Sequence, residues 1–332
     1  MSFVGSVILG GSVTISLSGI EMQIGFGPIF HPMSPQAGAI SGLFVAVLLV
    51  CAIILVIVTV SVGYCVWRCR EKAGAPEPEQ IMGHRKLEVA WTAIPFAIIV
   101  FIFSLTARVM SSSDPAANRE PDLIVTAHQW WWDVRYPAKG VHAANEIHIP
   151  TGTPMLVRLE SADVIHDFWV PQLGRKIHAV PGHPNEIWLE ADQPGTYLGA
   201  CAEFCGAQHA WMRFLVIAEP AATFASWTRQ QLQPVLASED GAAGRSRKIF
   251  QQFACINCHA LSGISTNGTA GPDLTHLAGR QTLGAGVMDN TPDNLVRWLK
   301  NPQTIKPACL MPNFNLTDQQ AHDLANFFET TK

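Results

Sequence analysis

The chain has 332 residues, which is enough for two domains of about 150 residues each plus additional segments. Hydrophobic residues make up 48% and charged residues only 14%, whereas about a quarter of a soluble protein is charged. The shortage of charge indicates membrane segments, and the Gly, Pro and Cys contents exclude a collagen, a disordered chain and a small disulfide scaffold. A net charge of −4 gives no polybasic footprint, so we expect no nucleic-acid partner.

Two uncharged runs predict a pair of transmembrane helices. No Asp, Glu, Lys or Arg occurs from Met22 to Trp67, and Leu43–Val62 within that stretch is long enough to cross a lipid bilayer. A second run, Val89–Ala107, is also long enough. The alternative is a pair of buried core helices, which apolar residues on every face disfavour.

The charges between the two runs predict the orientation in the membrane. Arg68, Arg70, Lys72, Arg85 and Lys86 lie in the short connecting loop, which the positive-inside rule places in the cytoplasm. Both termini, and everything after residue 110, are then extracytoplasmic. The segment from residue 1 to 20 is apolar without a basic region, and it reads either as a cleaved signal or as a translocated tail.

The first exported region reads as an antiparallel β-sandwich or Greek-key barrel. Residues 121–218 contain short runs of β-forming residues, with alternation clearest in Pro154–Glu160 and Asn185–Glu190. Turn signals punctuate these runs at Pro150–Gly152, Pro181–Gly182 and Pro194–Gly195. Short strands at this spacing are typical of sandwiches.

A loop at the end of this region carries a soft set of ligands, which selects copper over hard cations. The set consists of Cys201, Cys205, His209 and Met212. A mononuclear copper site needs only one Cys, so the second thiolate predicts two bridged copper ions, with His166 as the best-placed second imidazole. A Cys201–Cys205 disulfide and a Cys2His2 zinc site are the alternatives. Other histidines are more often structural, namely His128, His142, His178 and His183.

The second exported region carries the attachment signature of haem c, Cys255-Ile-Asn-Cys258-His259. The two thiols can form thioethers to the haem vinyl groups, and the adjacent imidazole reaches the iron. A thioredoxin-like motif would need a flanking βαβ pattern, which the sequence lacks. A zinc ribbon would need a second Cys pair, and none follows at the required spacing. The flanks predict helices over Arg245–Ala254 and over Asp318–Thr330, the latter with Thr317 as N-cap.

The sixth ligand of such a haem should be a soft neutral donor, commonly Met. Met311, which precedes the C-terminal helix, occupies the expected place, and Met288 is the rival. Cys309 is interpreted as a bystander thiol beside Met311.

Residues 38–230 resemble subunit II of cytochrome c oxidase. The resemblance lies in Glu88–Pro95, His128–Trp132, Asp163–His166, Val180–Gly182 and the cysteine loop. It implies a two-helix hairpin followed by a cupredoxin domain with dinuclear copper, CuA. The implied ligands are His166, Cys201, the Glu203 backbone carbonyl, Cys205, His209 and Met212. It also implies that the Glu203 carboxylate binds Mg²⁺ or Mn²⁺ shared with subunit I, although His178 stands where many relatives carry Asp.

The same resemblance gives roles to two further residues. Trp130 matches the aromatic side chain through which electrons reach CuA, with sandwich packing as the alternative. Glu88 matches the residue that opens a proton channel into subunit I, with snorkelling to the interface as the alternative. Residues 244–330 resemble a small class I cytochrome c, in which the Gly271–Pro272 pair would hydrogen-bond the proximal imidazole.

These inferences predict a membrane-anchored multidomain chain with a transmembrane hairpin, a cupredoxin-like Greek-key β-sandwich and an all-α class I cytochrome c domain. The predicted segments are an N-terminal extracytoplasmic segment 1–36, the hairpin 37–111 with cytoplasmic loop 68–86, the CuA domain 115–230, a linker 231–244 and the cytochrome c domain 245–332.

The expected function is that of the electron-input subunit of a respiratory cytochrome c oxidase in a bacterial inner membrane. Electrons would pass from haem c to CuA and then to subunit I, which reduces O2 to water with proton uptake. Expected partners are subunits I and III and a cytochrome c-type donor or bc-type complex. A nitric oxide reductase subunit and a membrane-anchored electron carrier remain as alternatives, whereas quinol oxidase subunits lack the copper ligands that this chain retains.

Overall fold

A computed structural model provides the structure. It describes residues 7–8, 12–17, 20–25, 30–71, 73–74, 76–77, 80, 82–115, 119–234, 241–265, 268–329 and 331, with side chains described only from residue 30 onward and not for 241–243. Three short strands near the N-terminus, β1 (Val7–Ile8), β2 (Ser12–Leu17) and β3 (Ile20–Gly25), pair antiparallel in that order. The signal or tail interpretation of residues 1–20 stays a prediction.

The two apolar runs form helices that are longer than the runs themselves. Helix α1 covers Pro35–Arg68 and helix α2 covers Arg85–Ser113, and Gly38–Asp114 forms a unit of its own. Their most apolar windows have mean hydropathies of 3.5 and 2.2 and are not buried within the chain. Because both helices expose apolar side chains on all sides, they suit a lipid environment better than a protein core.

The first exported region is a sandwich of ten strands followed by a helix. The strands are β4 (Leu123–His128), β5 (Trp131–Tyr136), β6 (Val141–Ala144), β7 (Glu146–Pro150), β8 (Met155–Ser161), β9 (His166–Trp169), β10 (Ile177–Ala179), β11 (Asn185–Leu189), β12 (Gly195–Cys201) and β13 (Arg213–Glu219), and the helix is α3 (Ala221–Gln231).

The ten strands form two five-stranded sheets, ordered β11-β8-β4-β5-β6 and β10-β9-β12-β13-β7. Trp132, Phe168 and Phe214 pack edge-to-face or stacked between the sheets, and each is almost completely buried. Two strand pairs are parallel, β4 with β8 and β7 with β13. The sequence pattern predicted an antiparallel sandwich and did not reveal these two parallel pairs. Alternation shows which face of a strand is buried, but it does not show the direction of the neighbouring strand.

Some strand boundaries also differ from the sequence pattern. The run from Leu123 to Trp132 is broken by a turn at Gln129–Trp130, so that β4 and β5 pair as a hairpin with His128 opposite Trp131. Such a turn has no Gly or Pro, which is why the sequence did not show it.

The C-terminal region, the second of the two that follow the helices, is helical around a small core. Its helices are α4 (Gly241–Gln252), α5 (Pro292–Lys300), the short α6 (Pro302–Ile305) and α7 (Asp318–Glu329), with a two-stranded hairpin, β14 (Thr282–Leu283) and β15 (Met288–Asp289). Phe250 of α4 packs edge-to-face against Phe328 of α7, with the ring centroids 6.1 Å apart. Thr317 caps α7 as predicted, because its Oγ1 accepts a hydrogen bond from the backbone N–H of Gln320 at 3.3 Å.

Candidate copper and haem sites

The cysteine loop between β12 and β13 gathers its sulfur and nitrogen atoms at one buried point. Cys201 Sγ and Cys205 Sγ lie 3.7 Å apart, and each faces one imidazole: His166 Nδ1 lies 3.9 Å from Cys201 Sγ, and His209 Nδ1 lies 3.7 Å from Cys205 Sγ. Met212 Sδ completes the group at 3.8 Å from Cys205 Sγ. The loop folds back in this way because Cys201 N donates to Met212 O, which closes the base of the loop.

A backbone oxygen joins the cluster beside the first thiol. Glu203 O lies 3.2 Å from Cys201 Sγ, while the Glu203 side chain is partly exposed. The hydrogen bond between the two thiols lowers the pKa of Cys201, which favours a thiolate at this sulfur. All six predicted CuA ligands are therefore brought together.

These donors fit a dinuclear copper centre. The 3.7 Å between the two sulfurs is far longer than the S–S bond of about 2.05 Å in a disulfide. Two thiolates, two imidazoles, a thioether and a carbonyl form a soft set that suits copper, whereas a thioether is a poor ligand for zinc. A copper pair held there would supply one-electron transfer, and the chain's contribution is a rigid, buried ligand frame.

The imidazole of His166 is fixed from behind by a carboxylate. Asp163 Oδ1 lies 2.7 Å from His166 Nε2, which leaves Nδ1 to face the sulfur. Asp163 is itself held in place, since its carboxylate accepts the backbone N–H groups of Gln129 and Val164. Asp163 lies three residues before His166 in the sequence, but its role in orienting the imidazole was not predicted.

A second cluster lies beside the copper ligands. Ligand atoms of Asp167, His178 and Glu203 are within 4.8 Å of one another, and Asp167 Oδ1 is buried with no hydrogen-bond partner in the described part of the chain. Burial raises the pKa of Asp167. Of these three residues the sequence predicted only Glu203 as a ligand, and His178 was noted as a departure from the family pattern. Asp167 was missed; it alternates with His166 along β9 and so projects from the opposite face of the strand.

Trp130 lies against the copper loop. Its indole Nε1 donates to Cys205 O at 3.0 Å, and the Gln129 side chain donates to the same oxygen at 2.7 Å. Gly206 has a positive φ of 116°, and a Cβ there would lie 3.0 Å from the Trp130 ring, so glycine permits the close approach. The three neighbouring tryptophans differ: Trp132 lies in the sandwich core, Trp131 lies in a separate small buried cluster, and Trp130 is only partly buried.

The haem signature lines a cavity of the second region. Cys255, Cys258 and His259 face this cavity, and Met311 lies on it too, whereas Met288 does not belong to its lining. Apolar side chains cover most of the remaining wall, namely Phe250, Leu274, Leu295, Leu299, Phe314, Leu324 and Phe328. An apolar cavity of this kind fits a haem with one imidazole and one thioether, although both axial assignments remain predictions.

The imidazole of His259 is oriented by the Gly-Pro pair as expected. His259 Nδ1 lies 2.7 Å from Pro272 O, which leaves Nε2 free for iron. A Cβ on Gly271 would lie 2.5 Å from His259 Cε1, so only glycine fits beneath the ring. Burial lowers the pKa of His259, and the imidazole is therefore neutral and able to ligate.

Glu88 has a structural partner in the first turn of α2. Its Oε1 accepts the backbone N–H of His84 at 3.2 Å, while His84 Nδ1 accepts the N–H of Leu87. The side chains of Glu88 and His84 thus cap the helix reciprocally. This contact neither requires nor excludes a role for the carboxyl group in proton uptake.

The chain matches three family models. They are the transmembrane domain of cytochrome C oxidase subunit II over residues 20–107, the periplasmic domain of the same subunit over residues 139–219, and cytochrome c over residues 243–332. A cytochrome c oxidase subunit 2 from Alkalihalophilus pseudofirmus is 33% identical over 91% of this chain and 90% of its own length. The chain belongs to the cytochrome c oxidase subunit II family.

Other relatives agree with this membership. Subunit 2 from Bacillus sp. strain PS3 is 30% identical over 77% of both chains, and a quinol oxidase subunit 2 from Bacillus cereus is 29% identical over 70% of this chain and 82% of its own. The solved periplasmic domain of subunit II from Bradyrhizobium japonicum is 30% identical and covers 35% of this chain and 96% of its own, with a TM-score of 0.34.

Membership confirms the predicted fold class of a two-helix hairpin, a cupredoxin-like sandwich and a cytochrome c domain. As a cytochrome c oxidase subunit II, the chain is membrane-anchored, carries a periplasmic domain and is a partner of the oxidase core in a haem–copper oxidoreductase. The subunit II domain implies CuA, and the cytochrome c domain implies haem c.

Proposed function

We propose that this chain takes up electrons on haem c and passes them through CuA to subunit I, where O2 is reduced to water with proton uptake. The haem would be held by Cys255, Cys258, His259 and Met311. The copper pair would be held by His166, Cys201, Glu203, Cys205, His209 and Met212.

One observation carries this proposal. The cavity that contains the haem signature is lined on one side by Gln129, Trp130 and Trp131 of the sandwich, so the two predicted cofactor sites share a wall. Trp130 lies in that wall and also donates to Cys205 O within the copper loop. A short bonded route from the haem cavity to a copper thiolate favours electron transfer within the chain over separate uses of the two sites.

The same proposal includes a second metal and a proton route. Asp167, His178 and Glu203 would hold Mg²⁺ or Mn²⁺ at the contact with subunit I, and the buried unpaired oxygen of Asp167 supports a cation there. A Mn²⁺ resonance that Glu203→Gln abolishes in the complex would test this site. Glu88, at the predicted cytoplasmic end of α2, would admit protons towards subunit I.

The location and the remaining partners complete the proposal. We infer a bacterial inner membrane, with subunit III in the complex and a cytochrome c-type donor or bc-type complex as the electron source. We also propose the segment boundaries given above: the hairpin over residues 37–111, the CuA domain over 115–230, the linker over 231–244 and the cytochrome c domain from 245 onward. Quinol as donor is disfavoured despite the quinol oxidase relatives, because both copper thiols are present and aligned with imidazoles.

The decisive experiment is turnover of the complex purified from its native membrane and given electrons through haem c, with O2 and then NO as acceptor. Rapid cyanide-sensitive O2 uptake is the expected result. Fast NO consumption with little O2 uptake would instead favour a nitric oxide reductase subunit. Neither activity, with the chain isolated alone, would favour a membrane-anchored electron carrier.

A further inference from the structure

The cytochrome c region is docked against the sandwich on the side that carries Trp130. Trp131 and Ala144 of the sandwich form a small buried cluster with Ala285, and Arg213 N donates to Ala285 O at 3.0 Å. At another point of the contact, Oε1 of the Glu146 carboxylate accepts hydrogen bonds from the backbone N–H groups of Gln281 and Thr282. This contact has both apolar and polar components.

A buried lysine lies at the centre of the contact. Lys306 is 3% exposed, and its Nζ donates to Trp130 O at 2.9 Å, to Trp211 O at 2.9 Å and to Gly284 O at 2.8 Å. An ammonium group has three donors, and all three are used on neutral carbonyls. Burial lowers the pKa of Lys306 to about 8, so the group is still protonated at neutral pH.

The three carbonyl groups lie between the predicted haem cavity and the predicted copper site. Trp130 and Trp211 belong to the sandwich, and Trp211 lies between His209 and Met212 in the copper loop. Lys306 itself lines the haem cavity. A single side chain thus joins the wall of the haem cavity to two segments that flank the copper ligands.

We propose that Lys306 is a positioning residue that holds the cytochrome c domain docked on the Trp130 face of the sandwich, so that haem c delivers electrons to the CuA of its own chain. This proposal rests on the proposed function and adds the element that fixes its geometry. A buried ammonium is costly unless its donors are paired. Two of its three acceptors lie on the other domain, so burial of Lys306 and docking must occur together. One electron passes in the step, and no bond forms or breaks.

Amine labelling of the purified complex tests the docking directly. With an acetylating reagent and mass spectrometry, Lys306 should react at least about tenfold more slowly than Lys300, which is exposed on the same domain. Glu146→Gln removes a charge from the same interface and should speed the labelling of Lys306 several-fold. Equal labelling of Lys306 and Lys300 in the unmodified complex would overturn the proposal.

Electron transfer gives the second readout. Lys306→Met keeps an unbranched apolar side chain of nearly the same length but leaves three carbonyls without a donor. The rate from haem c to CuA after rapid photoreduction of the haem should therefore fall about tenfold or more. Lys300→Met is the matched control and should leave the rate unchanged. An unchanged rate in Lys306→Met, with both cofactor spectra intact, would refute the role.

The two readouts also separate this proposal from the function on which it rests. If Lys306→Met does not assemble, the labelling of the unmodified complex decides the question alone. If the unmodified complex lacks the CuA or haem c spectrum, the proposed function fails, whatever the labelling of Lys306 shows.

Discussion

The indole Nε1 of Trp130 donates a hydrogen bond to the carbonyl oxygen of Cys205 at 3.0 Å. Trp130 therefore touches a predicted copper ligand through its ring, while its own carbonyl accepts from Lys306 of the cytochrome c domain. One residue of the sandwich thus contacts both halves of the proposed electron route, which makes it the first position to test.

Trp130→Leu should slow electron transfer from haem c to CuA by about tenfold or more, since it removes both the ring and a hydrogen bond at the copper loop. The CuA and haem c absorption bands should remain. Stopped-flow or flash kinetics on the complex measures the rate. Trp188→Leu on β11 is the control, because that indole packs against Arg119, which precedes β4. Equal rates in the two variants would contradict the role of Trp130.

Replacement of either copper-loop thiol should destroy the copper pair. Cys201→Ser and Cys205→Ser each remove a bridging thiolate, and hydroxyl is a hard ligand that suits Cu poorly. We expect loss of the delocalised electron-paramagnetic signal of CuA, with the haem c spectrum intact. Cys65→Ser, which alters an exposed thiol of α1 away from both predicted cofactor sites, should change neither spectrum. Survival of the delocalised signal in either loop variant would refute the ligand assignment.

The thioether of Met311 should set the haem potential. Axial Met raises the potential, so Met311→Leu should lower it by about 0.1 V or more, within the roughly 0.8 V that axial ligands span. Redox titration of the haem band measures the shift. Met288→Leu should leave the potential unchanged, because Met288 lies outside the lining of the haem cavity. The reverse pattern would assign Met288 as the ligand.

Glu88→Gln separates helix capping from proton uptake. A Gln oxygen can still accept the N–H of His84, so α2 should begin at the same residue, whereas the amide cannot carry a proton. We expect O2 turnover and proton uptake by the complex to fall several-fold, with unchanged cofactor spectra. Glu77→Gln in the exposed loop is the control. Full turnover in Glu88→Gln would leave capping as the whole role of this residue.

A buried tyrosine provides a test of the sandwich itself. Tyr136 donates its O–H to His148 O and accepts the N–H of His148, both at 2.8 Å. Tyr136→Phe leaves two buried backbone groups unpaired and should cost about 1–3 kcal/mol, measured by thermal unfolding of the full chain. Tyr197→Phe loses only one hydrogen bond, to Gln193 O, and should cost less. Equal losses would contradict this reasoning.

Local motifs carried most of the site prediction. Cys201, Cys205, His209 and Met212 are close in sequence, so a single loop can bring them together, and the haem signature is equally local. His166 is distant in sequence; it was selected as the best-placed second imidazole, an assignment that the resemblance also implies. Asp167 and Lys306 were missed because nothing near them in sequence signals their partners, which come from other strands and, for Lys306, from another domain.

By itself, the sequence determined the membrane spans, the cofactor-binding motifs and the fold class, since these depend on hydropathy, ligand chemistry and spacing within short segments. Only the tertiary structure decided which strands pair in parallel and which methionine lines the haem cavity. It also decided that the Lys306 ammonium reaches the carbonyls of Trp130 and Trp211. Contacts of this kind depend on the packing of segments far apart in the chain, because backbone carbonyls are the same in every residue and leave no mark in the sequence.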